Sequence, residues 1–137
     1  MKSNESGRTV GSIAPEYTIM LVDADIAIVK LISNFLARNG FGVLSASSSE
    51  EAIAVAEAHL GRIDLLLTEV LMTGMLGTEI AAYLLTRRPG IKVMYMSGYL
   101  PPEIQDEIAA SGSPIFTKPF ALAQLAKSIR TLLGREH

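Results

Sequence analysis

The sequence predicts an α/β fold: a doubly wound, five-stranded parallel sheet in the order 2-1-3-4-5, accompanied by five helices. Three observations carry this expectation. Short apolar runs alternate along the chain with segments whose apolar residues recur every three or four positions. The apolar runs lack the in-and-out alternation of a half-exposed strand, which reads as burial on both faces of a parallel sheet. The length of 137 residues suits a single domain, which on folding buries roughly two-thirds of the surface its unfolded chain exposes. Strands and helices in strict alternation then require right-handed crossovers with helices on both faces.

Each element follows in order. Residues 1–15 are mostly small or polar and carry no apolar period, so they are expected as a mobile arm ending at Pro15. YTIMLV (17–22) is a continuous apolar run stopped by Asp23, the first strand. Ile28, Leu31, Ile32, Phe35 and Leu36 recur at helical spacing until Asn39-Gly40 ends the helix. FGVLSA (41–46) is the second strand. Ser48 and Glu51 form a capping box before a helix carrying Ile53, Val55, Ala56 and Leu60. DLLLTEV (64–70) is the third strand, and a Gly74/Gly77 loop leads into a helix near 78–87. IKVMYMS (91–97) is the fourth strand. Pro101-Pro102 opens a short helix, because proline lacks only an N–H that is unpaired in the first turn anyway. PIFTK (114–118) is the fifth strand, and Ala121 to Leu133 closes the domain as a helix. The domain is thus expected over 16–134, with 135–137 as a tail.

Composition narrows the function. Charged residues make up 19% against 49% hydrophobic, which excludes intrinsic disorder. Twelve basic residues stand against fourteen acidic ones, a net charge of -2, which is too balanced for direct nucleic-acid binding. The absence of cysteine excludes a disulfide framework, a thiolate zinc site and a cysteine nucleophile. No apolar run approaches a membrane span and no secretory leader is seen, so no membrane association and a cytoplasmic location are expected.

In a doubly wound sheet, chemistry collects beyond the carboxyl ends of the strands. Those ends are Asp23, Ala24 and Asp25 after strand one, Glu69 after strand three, Ser97 after strand four and Lys118 after strand five. Taking strands one, three and five as central neighbours, Asp23, Glu69 and Lys118 are expected to converge on a small acidic pocket. Two carboxylates with carbonyl oxygens suit a hard cation such as Mg²⁺. A lysine and a serine hydroxyl nearby suit a phosphoryl group. Asp25 is also a fitting N-cap for the first helix.

Here a family resemblance appears. MLVDADIAIVKLISNFLARNGFGV resembles the opening of a response-regulator receiver domain, where the first strand ends in an acidic pair. DLLLTEVLMTGMLG resembles that family's third strand and loop, and MSGY (96–99) and TKPF (117–120) its fourth- and fifth-strand signatures. The resemblance spans about residues 16–133. It implies a flavodoxin-like receiver fold in two-component signalling, which accepts a phosphoryl group from a histidine kinase onto an aspartate with Mg²⁺. Carried over residue by residue, Asp23 fits the first acidic position and Ala24 falls where the second, a metal ligand, belongs. Glu69 stands at the phosphoacceptor position. Ser97 fits the conserved hydroxyl, and Lys118-Pro119 the conserved lysine and a proline whose peptide bond is often cis in the family. Ile115 sits where a switch aromatic is usual, and Thr73 and Leu76 replace a proline and an aspartate of the loop.

Two of these departures strike the same reaction. Ala24 removes an oxygen ligand and a negative charge, leaving Asp23 and Glu69 as a weakened Mg²⁺ site. Glu69 adds a methylene, moving its carboxylate outward by roughly 1–1.5 Å, and a displacement of about 1 Å can cost around a hundredfold in a positioned reaction. The longer side chain can instead pair with Lys118 or hydrogen-bond Ser97, holding part of an active-like state. The expected function is therefore an atypical receiver without enzymatic turnover: a pseudo-receiver or constitutively active-like interaction module. Its partner is a histidine kinase or another signalling protein. Alternatives are a conventional Mg²⁺-dependent phosphoreceiver despite Glu69, an acyl-phosphate phosphohydrolase, and an FMN-binding protein, for which DADIAIV offers no phosphate cradle. No output domain is expected after Leu133. His59 is expected as a dipole partner at the end of the second helix. Asp64 lies far from the carboxyl ends, Thr68 faces away from Glu69, Tyr99 is an exposed contact, and Met72, Met75, Met94 and Met96 pack.

Overall fold

The chain's computed structural model describes residues 15–134; the expected arm up to Ala14 and the tail 135–137 lie outside them. The elements are β1 (Thr18–Val22), α1 (Ile26–Arg38), β2 (Gly42–Ala46), α2 (Ser49–Ala58), β3 (Leu65–Glu69), α3 (Gly77–Arg87), β4 (Lys92–Ser97), α4 (Pro102–Ser111), β5 (Ile115–Thr117) and α5 (Leu122–Gly134). The strands form one parallel sheet in the order β2-β1-β3-β4-β5. No helix among the described residues is long and apolar enough to cross a membrane.

The continuous apolar runs are explained by two cores, one on each face of the sheet. Met20 and Val22 of β1 and Leu66 of β3 pack with residues of α2, α3 and α4. Ile19, Leu21, Leu65 and Leu67 pack with Ile32 and Leu36 of α1 and Leu125 and Ile129 of α5. Successive side chains of a strand point to opposite faces, so a strand covered on both faces must be apolar throughout. Met72, Met94 and Met96 are buried, and Met75 packs against the first core.

Three local expectations are corrected. Strand five is not a central neighbour of strands one and three: β5 is an edge strand, separated from β3 by β4. Leu60 does not belong to the apolar face of α2, which ends at Ala58; it is 99% exposed in the following turn. The capping box is half formed. Ser48 accepts from the Glu51 N–H (3.0 Å), but the Glu51 carboxylate turns to the N–H of Ser47 (2.8 Å) and not to that of Ser48.

His59 does end α2, but its ring Nε2 lies 3.2 Å from the Arg62 carbonyl. The cation at this helix terminus is Arg88, beyond α3. Its guanidinium donates to the carbonyls of Ala56 (3.1 Å), His59 (2.8 Å) and Gly61 (2.8 Å). The last carbonyls of a helix have no partner within it, and a planar fork of donors satisfies those of Ala56 and His59 together with that of Gly61 in the segment that follows. Asp64 is likewise structural, its Oδ2 accepting from the Thr18 N–H (2.8 Å) and its Oδ1 pairing with Arg62.

Candidate functional site

The site is assembled at the carboxyl ends of β1, β3 and β4 and the segment after β5. Asp23 follows β1 and is 2% exposed. One of its oxygens accepts from the Asp25 N–H (2.9 Å), which fixes its orientation, and the other accepts from Lys118 Nζ (2.6 Å). Asp25 caps α1, its Oδ1 accepting from Ala27 N–H (3.0 Å) and Ile28 N–H (3.4 Å). Glu69, the last residue of β3, is half-buried and its carboxylate also bonds Lys118 Nζ. A single ammonium therefore joins two carboxylates from neighbouring strands.

Lys118 performs this from the far side of β4. Its backbone N–H donates to the Ser97 carbonyl (2.8 Å), and the Lys118-Pro119 peptide bond is cis. The four-carbon stem spans the distance that topology leaves between the sheet edge and β3. Ser97 lies buried at the end of β4, where its hydroxyl donates to the Tyr99 carbonyl (3.3 Å). Of the two partners open to the longer Glu69 side chain, the structure pairs it with Lys118. Tyr99 is 74% exposed, and Ile115 stands exposed on the open edge strand.

Two further features set the position of Glu69. Gly77 N–H donates to the Val70 carbonyl (2.7 Å), and a Cβ on Gly77 would meet the Glu69 carbonyl oxygen at 2.2 Å. Only glycine lets α3 begin directly against the end of β3. Ser49, buried at the start of α2, donates its hydroxyl to the Thr73 carbonyl (3.2 Å) and accepts from the Met75 N–H (3.3 Å), tying the loop after β3 to α2. Ser49 escaped sequence reasoning because its partners lie 24 and 26 residues away. The start of α3 is closed by Glu79, whose carboxylate accepts from the Leu76 N–H (2.8 Å). Thr68 is fully buried on the opposite face of β3 from Glu69, its hydroxyl donating to the Glu69 carbonyl (2.9 Å).

The electrostatics follow from this geometry. Burial raises the Glu69 carboxyl above its ordinary 4.5; Lys118 opposes that rise and the charge of Asp23 adds to it. Burial alone would lower Lys118, but bonds to Asp23 and Glu69 more than reverse this and raise it above 10.5. A carboxyl whose folded value exceeds its unfolded one binds more protons when folded, so its contribution to stability falls as pH rises through that interval. The melting temperature of Glu69→Gln is therefore expected to lack this decline above pH about 4.5 and to equal or exceed that of the parent at pH 7. Melting curves from pH 3.5 to 7 check this; an unchanged slope in the variant contradicts the assignment.

A divalent cation fits this donor set poorly. Both carboxylates are bonded to the Lys118 ammonium, Asp25 is occupied as a helix cap, and Ala24 contributes no side-chain oxygen. No group of three or more acidic, histidine or cysteine residues among the described residues could hold a metal ion. Magnesium demands near-ideal octahedral oxygen ligation, which these engaged side chains do not supply.

The sheet order, with acidic residues at the ends of the adjacent inner strands β1 and β3 and a lysine reaching them from beyond the edge strand, defines a doubly wound domain with its site at the strand ends. The chain belongs to the response regulator receiver domain family, whose pattern matches residues 19–130. The probable transcriptional regulatory protein TcrX of Mycobacterium tuberculosis is 27% identical over 121 residues, covering 86% of this chain and 50% of TcrX. The sensor kinase CckA of Brucella abortus is 29% identical over 120 residues, covering 87% of this chain and 13% of CckA. The chain thus spans half the length of the first relative and a small fraction of the second. A CheY-like receiver domain protein from Methanospirillum hungatei superposes with a TM-score of 0.79 at 27% identity, covering 87% of this chain and 94% of that one.

Proposed function

We propose that this chain is an atypical receiver of two-component signalling, a pseudo-receiver or constitutively active-like module that works by binding another signalling protein. The observation that carries the proposal is the bond of Glu69 to Lys118 while the same ammonium holds Asp23 at 2.6 Å. In this arrangement the carboxylate at the phosphoacceptor position is engaged by a cation of the protein's own. Its charge of about -1, against about -1.5 to -2 for a phosphate ester, supplies part of what an incoming phosphoryl group would bring. The partner is a histidine kinase or another signalling protein, met in the cytoplasm and without direct nucleic-acid contact or enzymatic turnover. Ala24 and the engaged carboxylates leave Mg²⁺ binding weak.

Intact-mass measurement after incubation with acetyl phosphate and Mg²⁺ tests this reading. No phosphoryl adduct is expected on the parent. Glu69→Asp shortens the acceptor, and Ala24→Asp combined with Glu69→Asp also restores the second acidic position, so an adduct is expected on the double variant. An adduct on the parent that maps to Glu69 would establish conventional phosphorylation and overturn the proposal.

A further inference from the structure

The junction between α1 and β2 carries the chain's one Asn-Gly pair, Asn39-Gly40. The helix ends there in two bonds that run back along it. Gly40 N–H donates to the Ala37 carbonyl (3.1 Å) and Phe41 N–H to the Leu36 carbonyl (3.1 Å), with Gly40 at a φ of 92°. This paired ending needs a left-handed residue after the cap, which glycine supplies without strain. The Asn39 amide adds a third tie, its Nδ2 donating to the Phe35 carbonyl (2.8 Å). Arg130 of α5 holds the turn from outside. Its guanidinium donates to the Asn39 carbonyl and lies 4.5 Å from the centre of the Phe41 ring, which is buried. No side chain shields the Gly40 nitrogen, and a Cβ added to Gly40 would meet nothing within 4 Å.

We propose that Asn39-Gly40 is a self-modification site, held back by this turn and released when the last turn of α1 frays. The Gly40 nitrogen attacks Asn39 Cγ and gives up its proton. The new C–N bond closes a succinimide ring, and the side-chain nitrogen leaves as ammonia. Water then adds to either carbonyl of the ring and cleaves that C–N bond, leaving aspartate or isoaspartate. Nothing is oxidised or reduced, and water is the co-reactant. Ring closure brings Asn39 Cβ and the Gly40 nitrogen nearly eclipsed about the Cα–C bond, which the observed ψ of 12° does not allow. The backbone must rotate there, and the Gly40 and Phe41 bonds must break first. Fraying of a helix end costs far less than global unfolding, so the folded chain reacts at a rate set by that opening. A carboxylate at this position cannot donate to the Phe35 carbonyl, and its charge is unfavourable at a helix C-terminus. Isoaspartate also inserts a methylene into the backbone, so the two turn bonds lose their register and Phe41 shifts in the core it shares with α1 and α5. This site is independent of the Glu69 pocket, and its failure would leave the reading of that pocket untouched.

The test is peptide mapping of the full chain during incubation at mildly alkaline pH, beside the same chain unfolded in guanidinium chloride. Asn39 is expected to exchange its amide for an acid in the folded chain, slower than in the unfolded one by roughly tenfold or more. Asn34, which precedes Phe35, should stay unchanged over the same period. Arg130→Ala removes the hold on the Asn39 carbonyl and should speed conversion roughly three- to tenfold, whereas Lys127→Ala, on the same helix, should not. The isoaspartate form, separated by its added charge, should melt below the parent. Survival of Asn39 in the folded chain while the unfolded chain converts, equal rates in the two, an unchanged rate in Arg130→Ala, or an isoaspartate form as stable as the parent each overturns the proposal.

Discussion

Lys118→Ala is expected to destabilise the domain by about 2–3 kcal/mol at pH 7, among the larger effects of a single change in this chain. The substitution leaves Asp23, which is 2% exposed, facing Glu69 with no counter-charge. Breaking a fully buried pair costs about 3–5 kcal/mol; the Lys118 side chain is 24% exposed, so solvent screening lowers the figure. The loss has a characteristic pH dependence. Without the ammonium, two carboxylates repel and favour protonation in the fold, so the deficit shrinks as pH falls toward about 4. It also shrinks at the alkaline end, because the parent loses its own ammonium as pH rises through the Lys118 value above 10.5. Lys118→Met keeps the apolar stem and should lose nearly as much, which separates charge from packing. Denaturant unfolding of both variants at pH 4.5 and 7 measures the effect; a loss that is equal at the two pH values would show that charge is not its cause.

Gly77→Ala is expected to cost about 3 kcal/mol, at the upper end of what overpacking ordinarily costs, lowering the melting temperature by roughly 10 °C for a domain of this size. The added Cβ would lie 2.2 Å from the Glu69 carbonyl oxygen and 3.0 Å from the Val70 Cα. Both are backbone atoms, so no side-chain rotation relieves the contact. Either α3 withdraws from β3 or the end of β3 moves, and the 2.7 Å bond from Gly77 N–H to the Val70 carbonyl lengthens. Because the displaced residue is Glu69, the variant should also perturb the Lys118 pair, which the Glu69 and Lys118 side-chain resonances report. Gly90→Ala has open space around its Cβ and serves as the comparison. Equal stability of the Gly77 and Gly90 variants would mean that the close approach of α3 to β3 is not rigid.

What was legible in the sequence was what short stretches of chain encode by themselves. The apolar runs from 17–22 to 114–118 locate the strands because a strand covered on both faces must be apolar at successive positions. Asp25, Pro102 and the Ser48 hydroxyl mark helix starts through bonds or restraints that act within one turn. The same locality explains the misreadings. Leu60 continued a helical spacing beyond the point where α2 ends, and the Glu51 carboxylate had two backbone donors within reach and took the earlier one.

The candidate site divides in the same way. Alternation of strands and helices, and the rule that chemistry collects at the strand ends, point to Asp23, Glu69, Ser97 and Lys118. Which of them touch was decided by the fold. Lys118 reaches Asp23 and Glu69 across β4, over separations of 95 and 49 residues, and the hydroxyl of Ser97 turns to Tyr99. Arg88 on the end of α2 and Ser49 on the loop after β3 belong to the same category. The sequence by itself determined the elements, their order and the chemical groups at the strand ends, because these follow from periodicity and local backbone bonding. Only the tertiary structure decided the partners, because an ion pair or a close backbone approach depends on distances set jointly by many residues far apart in the chain.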